Sequence, residues 1–399
     1  MSEHVLVINA GSSSLKYSLM DTGSGDAVAS GLVEKIGEDQ SHHVHHGPSG
    51  DAEDDQAVAD HEAALEAAVR AFEKHGPALD SVDIVAVGHR VVHGGDRFAE
   101  PALVDNDLIA AVNDLVPLAP LHNPANLEGI EVARRLFPDL PHVAVFDTAF
   151  HQTLPPYAYT YAVPASWLDD YGIRRYGFHG TSHAFVSEQA ARLLDRDPGE
   201  VNVIVLHLGN GCSATAVRAG KSVDTSMGMT PLEGLVMGTR SGDLDPAIHG
   251  HLARVADRTA EETDRALNKE SGLKGLTGVN DFREVSRRRA DGDESAQLAF
   301  DVYCYRLKKY IGAYYAVLGT VDAIVFTAGV GQNSAEVRAA ALDGLESLGI
   351  HLDPARNADL GGVLAGAFVS TDDSPVAVLV IPTNEEWQIA RQAVEVLSR

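Results

Sequence analysis

Six short runs rich in Val and Ile punctuate this chain, and the segments between them carry helical periodicity. The runs are Val5–Ile8, Ile84–Val87, Val143–Phe146, Val203–Leu206, Ala323–Phe326 and Val376–Ile381. Runs of this length read as strands, and their alternation with helical patterns predicts an α/β fold. One such pattern covers 60–75, with Leu65, Ala68, Val69 and Phe72 on one stripe and Gly76-Pro77 as the stop. A second covers 303–318, carrying Leu307, Tyr310, Ile311, Tyr314 and Leu318. At 399 residues the chain exceeds the size at which one core keeps growing, so two domains are expected.

An internal echo points the same way. Val5 to Tyr17 reads as a buried strand, a Gly/Ser turn and a returning strand, and Val203 to Val217 repeats that plan. Two copies of one supersecondary unit suggest two related domains facing each other across a cleft, although on this plan alone any two hairpins look alike.

Composition narrows the partners. Apolar residues at 45% and charged residues at 22% suit a globular protein with a sizeable core. Lys and Arg total 31 against 57 Asp and Glu, a net charge of −26 that repels polyanions, so nucleic acid and anionic membrane are excluded as partners. An anionic small substrate would need a local cationic pocket. The two cysteines, Cys212 and Cys304, form no zinc spacing and suit a reducing compartment. Met1-Ser2-Glu3-His4 offers no basic leader, and no apolar run approaches a membrane span, so the expectation is a soluble cytoplasmic protein.

Phosphate is held by backbone N–H groups at close range, which Gly/Ser turns after strands supply. Three candidates are Asn9 to Ser14, His207-Leu208-Gly209-Asn210-Gly211 and Gly329-Val330-Gly331-Gln332-Asn333. Each alone is an ordinary tight turn; the three together are harder to dismiss. Gly220-Lys221-Ser222 mimics the end of a P-loop, but Thr215 stands where its first glycine must be. No G-x-G-x-x-G is completed either, so a dinucleotide fold is unsupported.

Cationic groups are framed by glycines: Arg90 before His93-Gly94-Gly95, and Arg240 within Gly238 to Gly242. Either Arg can bind carboxylate or phosphate bidentately, though a lone Arg is more often a surface residue. His122, His179 and His183 lie in similar turns, and Asp147 and Glu385-Glu386 follow apolar strands, where ligands of open α/β sheets bind. Such carboxylates suit a hard Mg ion. The one composition shift, 37–55, contains His42, His43, His45 and His46; with no supporting Cys or acidic spacing it reads as a solvated loop rather than a metal tract.

At this point the chain resembles the acetate kinase family. The resemblance rests on Asn9 to Lys16, Arg90 to Gly95, Phe146 to His151, Phe178 to Ser182, His207 to Gly211 and Pro382 to Glu386, in order along the chain. It implies the actin/sugar-kinase architecture: two RNase H-like domains, 1–150 with 383–399 and 151–382, facing across a catalytic cleft, in a homodimer. It further implies reversible Mg-dependent phosphoryl transfer between ATP and acetate, giving ADP and acetyl phosphate. By the same resemblance Asn9 and Glu385 are metal positions, for Mg2+ or alternatively Mn2+. Lys16, His207 to Gly211, Asp281-Phe282-Arg283 and Gly329 to Asn333 are nucleotide positions. Arg90 and Arg240 match the substrate and transition-state arginines, His179 the stabilising histidine, Asp147 the essential acid and His122 a phosphate contact. Val92, Leu121, Phe178 and Pro231 match the pocket for the methyl group. Gln332 departs from the family, which more often carries Glu there, and leaves fine nucleotide preference open.

Two rival readings stand beside this one. A propionate or other short-chain fatty acid kinase differs by one methylene, worth only about 1–3 kcal/mol in an apolar pocket. A non-catalytic actin-like ATP-binding clamp would not need the cationic set Arg90, Arg240 and His179.

Overall fold

All six apolar runs are strands, and they are the strands that run parallel to a neighbour. The computed structural model describes residues 3–361 and 366–399, and the chain divides into one unit of Met1–Phe150 with Asn384–Arg399 and another of His151–Thr383. The boundary puts Thr383 with the second unit.

The first unit holds β1 (Glu3–Gly11), β2 (Ser14–Asp21), β3 (Ala27–Glu34), β4 (His42–Gly47), β5 (Gly50–Asp54), β6 (Asp83–Val91), β7 (Ala102–Leu103) and β8 (His142–Phe146), in sheet order β5-β4-β3-β2-β1-β6-β8-β7. The second holds β9 (Asn202–Leu208), β10 (Cys212–Arg218), β11 (Lys221–Thr225), β12 (Ala323–Thr327), β13 (Ala367–Phe368) and β14 (Ala377–Val380), in order β11-β10-β9-β12-β14-β13. Each sheet therefore contains one plan: an antiparallel three-strand meander whose first strand is extended by two parallel strands. The two strand–glycine–strand units are the β1–β2 and β9–β10 hairpins, one in each sheet.

Alternation along β1 decides what covers each face. Leu6, Ile8 and Ala10 pack with Leu15, Tyr17 and Leu19 against Leu65, Ala68 and Phe72 of the helix His61–His75. Val5 and Val7 face Ile389, Ala390 and Ala393 of the helix Glu385–Leu397, which returns to this sheet from the end of the chain. Gly88 of β6 permits that return, because a Cβ there would lie 2.8 Å from Ile389 Cγ2.

Caps explain the helix ends. Asp60 accepts a hydrogen bond from Ala63 N at 2.9 Å to start the helix that Gly76 closes. The helix expected over 303–318 begins earlier and spans Glu294–Leu318, because Asp293 caps it through Ser295 N and Ala296 N. No helix among the described residues is long and apolar enough to cross a membrane.

Two local expectations are corrected. The segment read as a solvated loop forms the β4–β5 hairpin at the sheet edge. His43 and His45 point to the same face and meet Tyr17 Oη, each at 2.8 Å, while His42 and His46 point away and pair with Asp55 and Asp51. The period is 2, but it is written in histidines and carries no apolar alternation. The glycine turn after Ala323–Phe326 is instead a helical turn, Ala328–Asn333, starting directly from β12.

Candidate active site

In the first unit, the parallel strands β1, β6 and β8 end on the same side, and candidate residues gather at those ends. Asp147 N bonds to Val91 O at 3.0 Å, which fixes the turn out of β8 against β6. Arg90 then reaches Asp147 through Nε to Oδ1 at 2.9 Å and Nη2 to Oδ2 at 2.6 Å. Burial opposes the Arg90 charge, but Asp147 and then Glu385 and Glu386 outweigh it and push the guanidinium above its ordinary value. Asn126, unmarked in the sequence, ties the ends together: its Oδ1 accepts from Val92 N at 2.9 Å and its Nδ2 donates to Ala10 O at 2.7 Å.

Asn9, Lys16, Arg90, Glu385 and Glu386 line a single cavity of about 40 Å³, space for an ion or a water rather than a larger ligand. Lys16 sits opposite Asn9 across β1 and β2 and is ion-paired with Glu386. Glu385 differs from its neighbour, since its Oε1 is buried without a hydrogen-bond partner. Burial, partly offset by Arg90, raises its pKa above the usual carboxylate value. No group of three or more His, Cys, Asp or Glu is arranged for a metal among the described residues. One hungry carboxylate and an amide oxygen nevertheless suit Mg2+, which keeps most of its water and takes few protein oxygens.

Val92 is buried, Leu121 is half exposed, and His122 is the N-cap residue of the helix Asn123–Leu136. Phe178 and Pro231, the other residues expected to form the methyl pocket, belong to the second unit.

In the second unit a cavity of about 990 Å³ brings together the three expected nucleotide segments: Gly209 and Asn210, Asp281 to Arg283, and Gly329, Val330 and Asn333. That volume suits a nucleotide. Leu208 and Gly331 are instead packed inside, and Phe282 packs at a tilt against Tyr303, ring centroids 5.1 Å apart. Asp281 caps the helix Phe282–Ala290 and also binds the exposed Arg283 side chain. Gly238 is required by close approach: a Cβ would fall 1.9 Å from Asn210 Oδ1. Burial pushes the Cys212 thiol up to about 12, which removes it as a nucleophile at neutral pH.

Beside this cavity Arg240 and His179 converge on bare backbone. A Cβ on Gly211 would lie 3.5 Å from Arg240 Nη1 and 3.5 Å from His179 Nε2. Arg240 donates to Pro231 O at 3.3 Å and has no carboxylate partner among the described residues; burial draws its pKa below the ordinary value. His179, with φ of 57°, stacks on His207 at 4.3 Å and places Nδ1 2.9 Å from Ser213 Oγ. Ser213 lies within the hairpin echo, yet nothing in the pattern marked it as a partner of His179.

Comparison with known proteins identifies the family. The family model described as the acetokinase family matches residues 4–391. A protein of Streptomyces coelicolor named acetate kinase is 58% identical over 399 residues, covering 100% of this chain and 98% of its own. The crystal structure of acetate kinase from Porphyromonas gingivalis superposes with a TM-score of 0.93 at 42% identity, covering 99% of this chain and 100% of that one. A propionate kinase structure from Francisella tularensis gives the same TM-score, identity and coverage. Such likeness, over nearly the whole length in both sequence and structure, is that of a member: the chain belongs to the acetokinase family.

Proposed function

We propose that this protein is an acetate kinase, moving a phosphoryl group reversibly between ATP and acetate to give ADP and acetyl phosphate. The observation that carries the reading is 58% identity across the whole chain to a protein of that name. The unneutralised Arg240 beside His179 favours catalysis over a non-catalytic ATP clamp.

Acetate is ionised at pH 7, so one of its oxygens attacks the γ-phosphorus without a general base. The bond from the γ-phosphorus to the β–γ bridging oxygen breaks, and ADP leaves with that electron pair. The barrier is the approach of an anion to a polyanion, which fixed positive charge lowers. Arg90 holds the acetate carboxylate, with His122 a further phosphate contact. Arg240 and His179 Nε2 meet the oxygens of the transferring group. Asp147 holds Arg90 in orientation and does no proton transfer. Asn9 and Glu385 would hold Mg2+, or Mn2+, which when bound supplies positive charge against the phosphate oxygens. Lys16 contacts the nucleotide, and Val92, Leu121, Phe178 and Pro231 surround the acetate methyl group. A cytoplasmic homodimer belongs to the same reading and rests on the family resemblance.

The Francisella tularensis neighbour favours one second reading, a propionate kinase. Measurement of kcat/KM for acetate, propionate and butyrate with saturating ATP decides between them. Highest kcat/KM on acetate supports the proposal; preference for propionate replaces it, and no acyl phosphate from any acid defeats both.

A further inference from the structure

The hydroxyl of Ser213 sits between two imidazoles. His179 Nδ1 is 2.9 Å from Ser213 Oγ on one side, and His183 Nε2 is 2.7 Å away on the other. Ser213, His183 and their contact are fully buried, so water does not relieve the arrangement. A serine hydroxyl owns one proton and two lone pairs, so it can donate to one nitrogen partner and accept from the other.

His183 settles the direction. Burial keeps it neutral, so its ring has one N–H and one bare nitrogen. Its Nδ1 is buried without a hydrogen-bond partner. An orphaned buried N–H is rarer in folded proteins than an orphaned acceptor, so the proton belongs on Nε2, where Ser213 Oγ accepts it. Ser213 then has its own proton available to donate to His179 Nδ1. In a neutral His179 that places the ring proton on Nε2, the nitrogen that shares the space above Gly211 with Arg240 Nη1.

We propose that Ser213 is a positioning residue whose hydroxyl, backed by His183, fixes His179 as the Nε2–H tautomer and so makes it a hydrogen-bond donor beside Arg240. The inference rests on the reading of His179 as a group that meets the transferring phosphoryl oxygens. An imidazole with a bare Nε2 would present a lone pair to anionic oxygen and repel it. The chain Ser213 to His183 reverses only if His183 takes its proton on Nδ1 and buries an unpartnered N–H, which is what holds the tautomer in place.

The test reads the tautomer directly. Protein labelled with 15N-histidine gives two-bond proton–nitrogen correlations that distinguish Nε2–H from Nδ1–H, and the His179 signals are assigned by their loss in His179→Asn. The wild type is expected to show His179 as Nε2–H. Ser213→Ala should populate both tautomers and lower kcat on the order of tenfold, a part of the loss that removing a whole donor causes, with both KM values little changed. Ser213→Thr, which keeps the hydroxyl, should retain the tautomer and most of kcat. Nδ1–H in the wild type overturns the proposal, and so does Ser213→Ala with the tautomer unchanged. Should Ser213→Ala not fold, the wild-type spectrum still decides. If instead His179→Asn leaves kcat intact, the functional reading of His179 fails while the tautomer assignment stands on its spectrum.

Discussion

Arg90 and Asp147 face each other fork to fork, Nε to Oδ1 at 2.9 Å and Nη2 to Oδ2 at 2.6 Å, with Asp147 almost wholly buried. The pair uses both carboxylate oxygens and holds the planar guanidinium in one orientation, with Nη1 left for another acceptor. Arg240 is the opposite case, a partly buried guanidinium bonded to a carbonyl and not to a carboxylate. Both are charged, but one is oriented and paired with a carboxylate and the other is not. From that contrast we propose ground-state positioning for Arg90 and transition-state stabilisation for Arg240.

The two arginines should therefore fail differently. Arg240→Ala is expected to lower kcat by at least two orders of magnitude, the scale of lost transition-state electrostatics. Arg90→Ala should raise the acetate KM far more than the ATP KM. Steady-state kinetics with each substrate varied in turn checks both. Equal, mild losses in the two variants would return the arginines to structural roles.

Glu385 and Glu386 are adjacent yet differently engaged. Glu386 is ion-paired with Lys16, whereas Glu385 has a buried oxygen without a partner. Glu385→Ala is expected to raise the Mg2+ concentration for half-maximal rate strongly and to collapse turnover, and Glu386→Ala to do so far less. Titration of the rate with Mg2+ at saturating ATP measures this. Indistinguishable titrations would remove Glu385 from the metal site.

The parallel strands were legible in the sequence for a physical reason. Strands buried on both faces must be apolar at every position, so β1, β6, β8, β9, β12 and β14 stand out as continuous runs. The antiparallel strand β4, next to the edge strand β5, hides because its inward positions are His43 and His45, which pack their rings on Tyr17, His45 also on Phe72, rather than supplying aliphatic alternation. Site residues placed at strand ends were legible on the same logic, since Arg90 and Asp147 lie where parallel strands finish. Ser213 and Asn126 were not, and His183 was marked without its partner. Their contribution is a hydrogen bond to another residue of the site, and such a bond has no period, spacing or composition to betray it.

Buried neutral histidines set the acid limit of stability. Burial pulls His151 from the ordinary 6.5 to about 4, with the Phe178 carbonyl opposing and Arg175 assisting, and His89 and His183 are pushed well below 6.5 by burial and neighbouring imidazoles. Below pH 6.5 the unfolded chain takes up these protons while the folded protein does not. Stability is thus complete above pH 6.5 and lost as pH falls towards 4, by about 1.4 kcal/mol per pH unit for each such group. Urea unfolding from pH 7.5 to 4.5 should show that loss, and His151→Gln should reduce its slope by about one proton's worth. A slope unaltered in His151→Gln would exclude His151 as a contributor.

From behind, Arg338 supports the 990 Å³ cavity proposed for the nucleotide. It is 1% exposed and spends its donors on Gly331 O and Gln332 O at 2.8 Å, Asn357 Oδ1 at 2.6 Å and Asn357 O at 2.7 Å. Burial draws its pKa down to about 10, still high enough to remain charged at neutral pH. The two carbonyls belong to the short helix Ala328–Asn333, whose Gly329, Val330 and Asn333 line the 990 Å³ cavity. Arg338→Met keeps much of the volume but leaves those carbonyls and Asn357 unsatisfied, at about 1–3 kcal/mol for each buried group left bare. The expected result is a lower melting temperature together with an ATP KM raised several-fold and an acetate KM close to wild type. Arg338→Lys should recover part of both, since one ammonium can reach some but not all of the acceptors. A fall in melting temperature with the ATP KM untouched would show that the guanidinium holds the fold and leaves the nucleotide segment to position itself.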